Sequence, residues 1–162
     1  NILWRDCQNM LVGMSRGTVK AFGTHGIIKP VATDHFVGVR LPSGLLMKYG
    51  DLKWAQGERG IEFDYKTRRG RTRIYGGKVV ENVCQGIARC VIAEQMLDIA
   101  KKYRVVLTVH DSIACCVPLD KAKEARVYIE TCMRKTPTWA EGLPLDCESG
   151  IANAYGDCEP DE

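Results

Sequence analysis

Two runs of β-forming residues, Val105-Val-Leu-Thr-Val109 and Ser112-Ile-Ala-Cys-Cys-Val117, are separated only by His110 and Asp111. Val, Ile and Thr suit the pleated, half-buried surface of a sheet. A two-residue connection leaves such strands one arrangement, the antiparallel hairpin. The chain therefore holds a histidine and an aspartate at a tip of defined position, and an acid so placed can grip a metal ion. An isolated Asp in a tight turn more often satisfies the turn's own backbone, with the histidine beside it solvated. The tip alone does not choose between these uses.

On its N-terminal side lies a helical pattern from Val79 to Ala100, with Val79, Val80, Val83, Cys84, Ile87, Ala88, Val91, Ile92, Met96, Leu97 and Ala100 at helical spacing. Another line of the same helix carries Asn82, Gln85 and Arg89 and no acid. Solvated helix faces usually mix Glu with Lys. Amides and a guanidinium instead offer hydrogen-bond donors of the kind that reach minor-groove acceptors; a merely polar exposed face is the other reading.

Three stretches follow one another in order: Tyr75-Gly-Gly-Lys78-Val-Val-Glu-Asn82-Val-Cys-Gln85-Gly-Ile-Ala-Arg89, then Leu107-Thr-Val-His110-Asp111-Ser112, then Leu143-Pro-Leu-Asp-Cys-Glu-Ser-Gly150. Together they resemble the C-terminal palm of family A DNA polymerases, the DNA polymerase I family, and its phage-type members above all. The upstream Leu41-Pro-Ser-Gly44 adds to the resemblance. It implies an α+β fold in which a palm-type antiparallel sheet, with its motif C hairpin, packs on helices, beside a small hairpin and helical segment on the fingers side. It also divides the chain into a helical segment at 1–35, β-hairpins and a basic arm at 36–75, and the C-terminal part of the palm at 76–162.

The chemistry implied is nucleotidyl transfer from a dNTP to a primer 3′-hydroxyl, assisted by two Mg2+ ions held by carboxylates. Asp111 matches the motif C aspartate and so a metal ligand. His110 matches the histidine near the primer terminus, and Gln85 a helix glutamine that reads the minor groove of new pairs. Two departures stand out. Ser112 replaces the usual glutamate, and neither Asp6 nor Asp64 has the surroundings of the motif A aspartate. The resemblance therefore implies a fragment that is inactive alone, whose second metal-binding Asp and dNTP site belong to a missing N-terminal part.

Net charge is only +3 over 162 residues, too little to mark a nucleic-acid binder by itself. The charge is concentrated, however. Lys66, Arg68, Arg69, Arg71, Arg73 and Lys78 occur without an intervening acid, a basic arm that is either a solvated loop or, beside a polymerase-like helix, a contact for primer–template phosphates. Eight cysteines raise the question of disulfides, but Cys84, Cys90 and Cys132 fall at helical core positions, vicinal Cys115 and Cys116 cannot bridge without distortion, and no C-x-x-C pair suggests zinc. Free thiols in a reducing cytoplasm are expected, with no membrane partner.

Elsewhere a first helix is expected, with Ile2, Leu3, Cys7, Met10, Leu11 and Met14 at its spacing and Gly17 and Gly23 to Gly26 ending it. A hairpin should join 36–41 to 45–49, Gly50, Gly57 and Gly60 should mark loops, and a strand should cover Ile61 to Tyr65. A helix from Asp120, its expected N-cap, runs to Arg134 with Ala122, Ala125, Ile129, Cys132 and Met133 inward. A last strand should lie at 145–150, followed by a frayed acidic end. The hairpin should also present an unpaired edge or apolar face, which two copies could cover as a homodimer.

Three other functions fit parts of this pattern. A metal-dependent phosphohydrolase would need further histidines beyond His25 and His35. A non-catalytic nucleic-acid-binding module would use the arm and the Asn82/Gln85/Arg89 line, and a purely structural protein would use neither.

Overall fold

The computed structural model describes residues 2–18, 28–34, 36–57 and 60–159. The Gly23–Gly26 break, His25, His35 and the last acidic residues lie outside these. The chain forms two compact units, Asn1–Ile87 and Ala88–Glu162, and contains helices and antiparallel sheet as the α+β expectation requires.

In the first unit, helix α1 (Ile2–Ser15) buries Cys7, Met10, Leu11 and Met14, a spacing that places them on one stripe. Five strands follow as an antiparallel meander in sequence order: β1 (Lys29–Ala32), β2 (Val37–Arg40), β3 (Leu46–Gly57), β4 (Gly60–Thr67) and β5 (Gly70–Ile74). Leu41, Pro42, Ser43 and Gly44 make the expected β2–β3 turn. Gly44 there has φ 91° and its N–H donates to the Leu41 carbonyl at 2.9 Å, a backbone state that a side chain would strain. The core gathers Leu11, Val39, Leu41, Tyr49, Phe63 and Ile74 with Val79 and Val83 from the start of helix α2 (Gly76–Ala100). Gln8 of α1 accepts the Gly76 N–H at 2.8 Å, satisfying one of the donors that a helix start leaves open.

Gly50 does not mark a loop, whereas Gly57 ends β3 and Gly60 begins β4, on either side of the connection between the two strands. β3 runs on through Gly50 to Gly57, and Gly57 pairs with Gly60 of β4. At Gly50 the local signal for a break is outweighed by cross-strand pairing, and only a bulge between Gly50 and Lys53 remains of it, where Asp51 takes φ 46°.

In the second unit, Ile99 of α2 and Tyr103 in the turn that follows it pack with Ala125 and Cys132 of helix α3 (Ala122–Met133), and Val105, Ile113, Cys115, Val117, Ile129 and Met133 close around them. The hairpin is strands β6 (Val105–Val109) and β7 (Ser112–Cys115), a two-stranded sheet with a bulge between Val105 and Leu107. The bulge brings Val105 and the partners Ile113 and Cys115 to the inner face, and leaves Leu107 and Val109 exposed.

Asp120 is not the N-cap of α3. A 3₁₀ turn, Leu119–Lys121, leads into the helix and the cap position is Lys121, without a side-chain bond. Residues 145–150 form no strand; side chains tie them instead to α3, as described below. Cys84 and Leu97 are exposed, because the buried positions of α2 are Val79 and Val83 in the first unit and Cys90, Val91, Ile92, Gln95 and Ile99 in the second. Gln95 was not expected inside. Its amide nitrogen donates to the Met133 carbonyl, while its carbonyl oxygen is buried with no partner among the described residues. Among the described residues no disulfide joins any of the eight cysteines, of which Cys7, Cys90 and Cys132 are buried.

Candidate active site and nucleic-acid face

His110 and Asp111 are the whole of the β6–β7 turn, since Val109 pairs directly with Ser112. His110 has φ 53° and Asp111 does not share the positive φ. A non-glycine residue in this region carries a conformational cost, smaller for His than for a β-branched residue. Both side chains are exposed, and among the described residues neither forms a hydrogen bond or ion pair. That differs from an aspartate serving its own turn. Asp146 shows the contrast, for its carboxylate accepts the Cys147 N–H at 2.8 Å. Asp111 is left with its full acceptor capacity facing outward.

A hard divalent cation takes six or more oxygen ligands. Among the described residues no three His, Cys, Asp or Glu side chains converge to hold one. These residues thus offer one carboxylate at the tip, and do not complete a cation site by themselves.

In the first unit, α2 carries Asn82 half-buried and Gln85 exposed. The Asn82 amide donates to the hydroxyl of buried Tyr49 at 3.4 Å, an interaction that sequence reasoning did not foresee. Gln85 keeps both its donors and its acceptor free among the described residues. So does Arg89, exposed in the second unit.

The basic arm divides by geometry. Arg68 and Arg69 form the β4–β5 turn, where the Thr67 hydroxyl donates to the Gly70 carbonyl at 2.8 Å and accepts the Arg69 N–H at 3.2 Å. Both guanidinium groups are exposed, with no carboxylate partner among the described residues. Arg71 is occupied. It bonds the Asp64 carboxylate, the Asp51 carboxylate at 2.8 Å and the Asp51 carbonyl at 2.8 Å, and its hydrogen bond holds the Asp51 carboxyl below the usual range. Arg73 reaches Glu62 at 2.5 Å and Lys78 reaches Glu81 at 2.7 Å. Asp51, Glu62 and Asp64 went unremarked as partners in the sequence. Strand register was the signal that could have found them: Asp64 faces Arg73 and lies diagonal to Arg71.

No protein-family model and no solved structure matches the chain. A curated relative does, the DNA polymerase of Bacillus phage SP02, 33% identical over 144 residues that take in 78% of this chain. This chain is related to a DNA polymerase. It spans about a fifth of that polymerase's length, 22%, so the polymerase relationship concerns one portion of a larger protein there. Arg68 and Arg69, exposed and without a carboxylate partner among the described residues, have the chemistry of groups that bind phosphate oxygens without reading sequence. Gln85 and Arg89 have the donor chemistry that the minor groove accepts. Among the described residues no helix is long and apolar enough to cross a membrane.

Proposed function

We propose that this chain is the C-terminal palm portion of a phage-type family A DNA polymerase, and that it contributes to template-directed nucleotidyl transfer without performing it alone. The observation that supports this best is the unengaged Asp111 at a two-residue hairpin tip, in a chain with extended similarity to a phage DNA polymerase. Asp111 would give one carboxylate to a pair of Mg2+ ions, which supply activation of the primer 3′-hydroxyl and neutralisation of the phosphate charge; the second aspartate and most of the dNTP site lie in protein outside this chain. His110 stands next to the primer terminus. Asn82, Gln85 and Arg89 test the geometry of newly made pairs, because minor-groove acceptors are nearly the same for every Watson–Crick pair. Arg68 and Arg69 hold template or primer phosphates, with Arg71, Arg73 and Lys78 beside them. In this reading residues 1–35 sit on the fingers side, 36–75 form the hairpins and arm, 76–162 belong to the palm, and the protein works in the cytoplasm.

The deciding experiment is Asp111→Asn in the complete protein. Asn keeps the size and is well accepted in turns, but removes the charge a cation needs. Primer extension at saturating magnesium and matched DNA occupancy should fall by ~10²–10⁴ or more, the scale of losing a group that acts on the reacting atoms. DNA affinity should hold or rise slightly, since a carboxylate repels phosphates. Near-equal extension rates would defeat the catalytic assignment and leave the second reading, a non-catalytic nucleic-acid-binding module resting on the exposed Arg68 and Arg69.

A further inference from the structure

Asn82 and Gln85 are useful as geometric probes of a base pair only if the helix that carries them is fixed in rotation and distance. A surface helix face has no such constraint of its own. Two features of the first unit supply it. Tyr49 is buried in β3, 3% exposed, with its ring packed edge-on against Tyr65 at a centroid separation of 5.2 Å. Its hydroxyl is aimed at α2, where it receives the Asn82 amide at 3.4 Å. One turn further along, Gly86 lies over the β2–β3 hairpin so closely that an added Cβ would stand 2.7 Å from Leu41 Cδ1 and 3.0 Å from Met47 Sδ. Leu41 is itself buried, so it has little freedom to give way.

We propose that Tyr49 is a positioning residue for the minor-groove probes: its hydroxyl orients the Asn82 amide, while the close approach at Gly86 sets how near α2 lies to the hairpin. The hydrogen bond uses one of Asn82's two N–H donors and leaves the other, with the carbonyl oxygen, for a ligand. Tyr49 thus reaches DNA only through Asn82. This rests on the polymerase reading given above.

The test compares wild type, Asn82→Ala, Tyr49→Phe and the double variant in the complete protein, measuring extension from matched and mismatched primer ends and the thermal midpoint. Tyr49→Phe keeps the packed ring and loses only the hydroxyl. It should shift the matched-to-mismatched ratio in the same direction as Asn82→Ala, by about two- to tenfold, the range of one neutral hydrogen bond, and the double variant should be no worse than Asn82→Ala alone. The thermal midpoint should move little, and a role confined to structure would not touch the ratio. Gly86→Ala should move the ratio the same way with Asn82 and Gln85 intact. If Asn82→Ala alters the ratio and Tyr49→Phe does not, or their effects add, the positioning role is overturned and the polymerase reading stands. If Asn82→Ala and Gln85→Ala both leave the ratio unchanged, the minor-groove reading itself fails and takes this role with it.

Discussion

Arg68 and Arg71 stand three residues apart on one hairpin, and their surroundings separate what a substitution at each would do. Arg71 bonds the bulge at Asp51 through both the carboxylate and the carbonyl, and also holds Asp64. Removing it takes two bonds from Asp51 at φ 46° and leaves its carboxylate only the more distant Lys53 ammonium at 3.4 Å among the described residues. Arg71→Ala should therefore lower the thermal midpoint, whereas Arg68→Ala with Arg69→Ala should leave it unchanged. In a titration of duplex binding against salt, the second pair should reduce the slope of log K on log [salt] by about 0.9 for each phosphate no longer neutralised, equally for all sequences. An unchanged slope would return Arg68 and Arg69 to a solvated turn. The basic cluster was plain in the sequence, but this division was not, because the acids that occupy Arg71 and Arg73 come from neighbouring strands. At the hairpin tip, likewise, the pair His110–Asp111 could be read directly, while the freedom of the Asp111 carboxylate could be seen only once the turn was built.

Among the elements, the segment after α3 shows how side chains can replace a ladder. Glu130 of α3 accepts from Ser149, from Arg126 at 3.0 Å and from Arg134 at 3.0 Å, and Arg134 continues to Asp146 at 2.8 Å and to the Cys147 carbonyl at 3.0 Å. The Ser149 hydroxyl, then Arg126 and Arg134, hold the Glu130 carboxyl down to about 2 from an ordinary 4.5. A depressed carboxyl stabilises the folded state above its unfolded value, and that contribution is lost as pH falls. The anchoring of residues 146–149 should therefore be complete above about pH 4.5 and weaken as the solution is taken toward pH 2. Amide exchange of these residues followed against pH would show it, and Glu130→Gln should flatten the profile. A profile of Glu130→Gln that matches wild type would place the acid sensitivity elsewhere, Asp98 being the next candidate, held at about 2 by Lys101 and Lys135. The expected strand at 145–150 failed because alternation in a short segment says nothing of whether an edge is there to receive it. α2 could be read because its pattern persists for 25 residues.

For the molecule as a whole, the second unit has a sheet of two strands, with Val106 at 48%, Leu107 at 41% and Val109 at 40% exposure. A lone hairpin needs a packed face to persist, and here its inner face has one while its outer face carries apolar side chains into solvent. The 162-residue chain taken alone should therefore associate through this hairpin, with a concentration-dependent dimer in light scattering as the expected result. Leu107→Lys with Val109→Thr should shift it toward monomer. A wild-type chain that stays monomeric at all concentrations would show that the hairpin face is stable in water as it stands.

What the amino-acid order determined by itself was local: α2 from its long apolar period, the β6–β7 and β2–β3 hairpins from β-formers around short turn signals, and the residues at the hairpin tip from a two-residue gap that admits one geometry. These features depend on neighbours in the chain, so the chain displays them. Only the tertiary structure decided that β3 should run through Gly50, that Gln95 should lie inside and Leu97 outside, that Arg71 should hold a bulge while Arg68 has no carboxylate partner among the described residues, and that Tyr49 should meet Asn82. Each depends on a partner distant in the chain or on which side of a helix meets a core, and period and propensity fix neither.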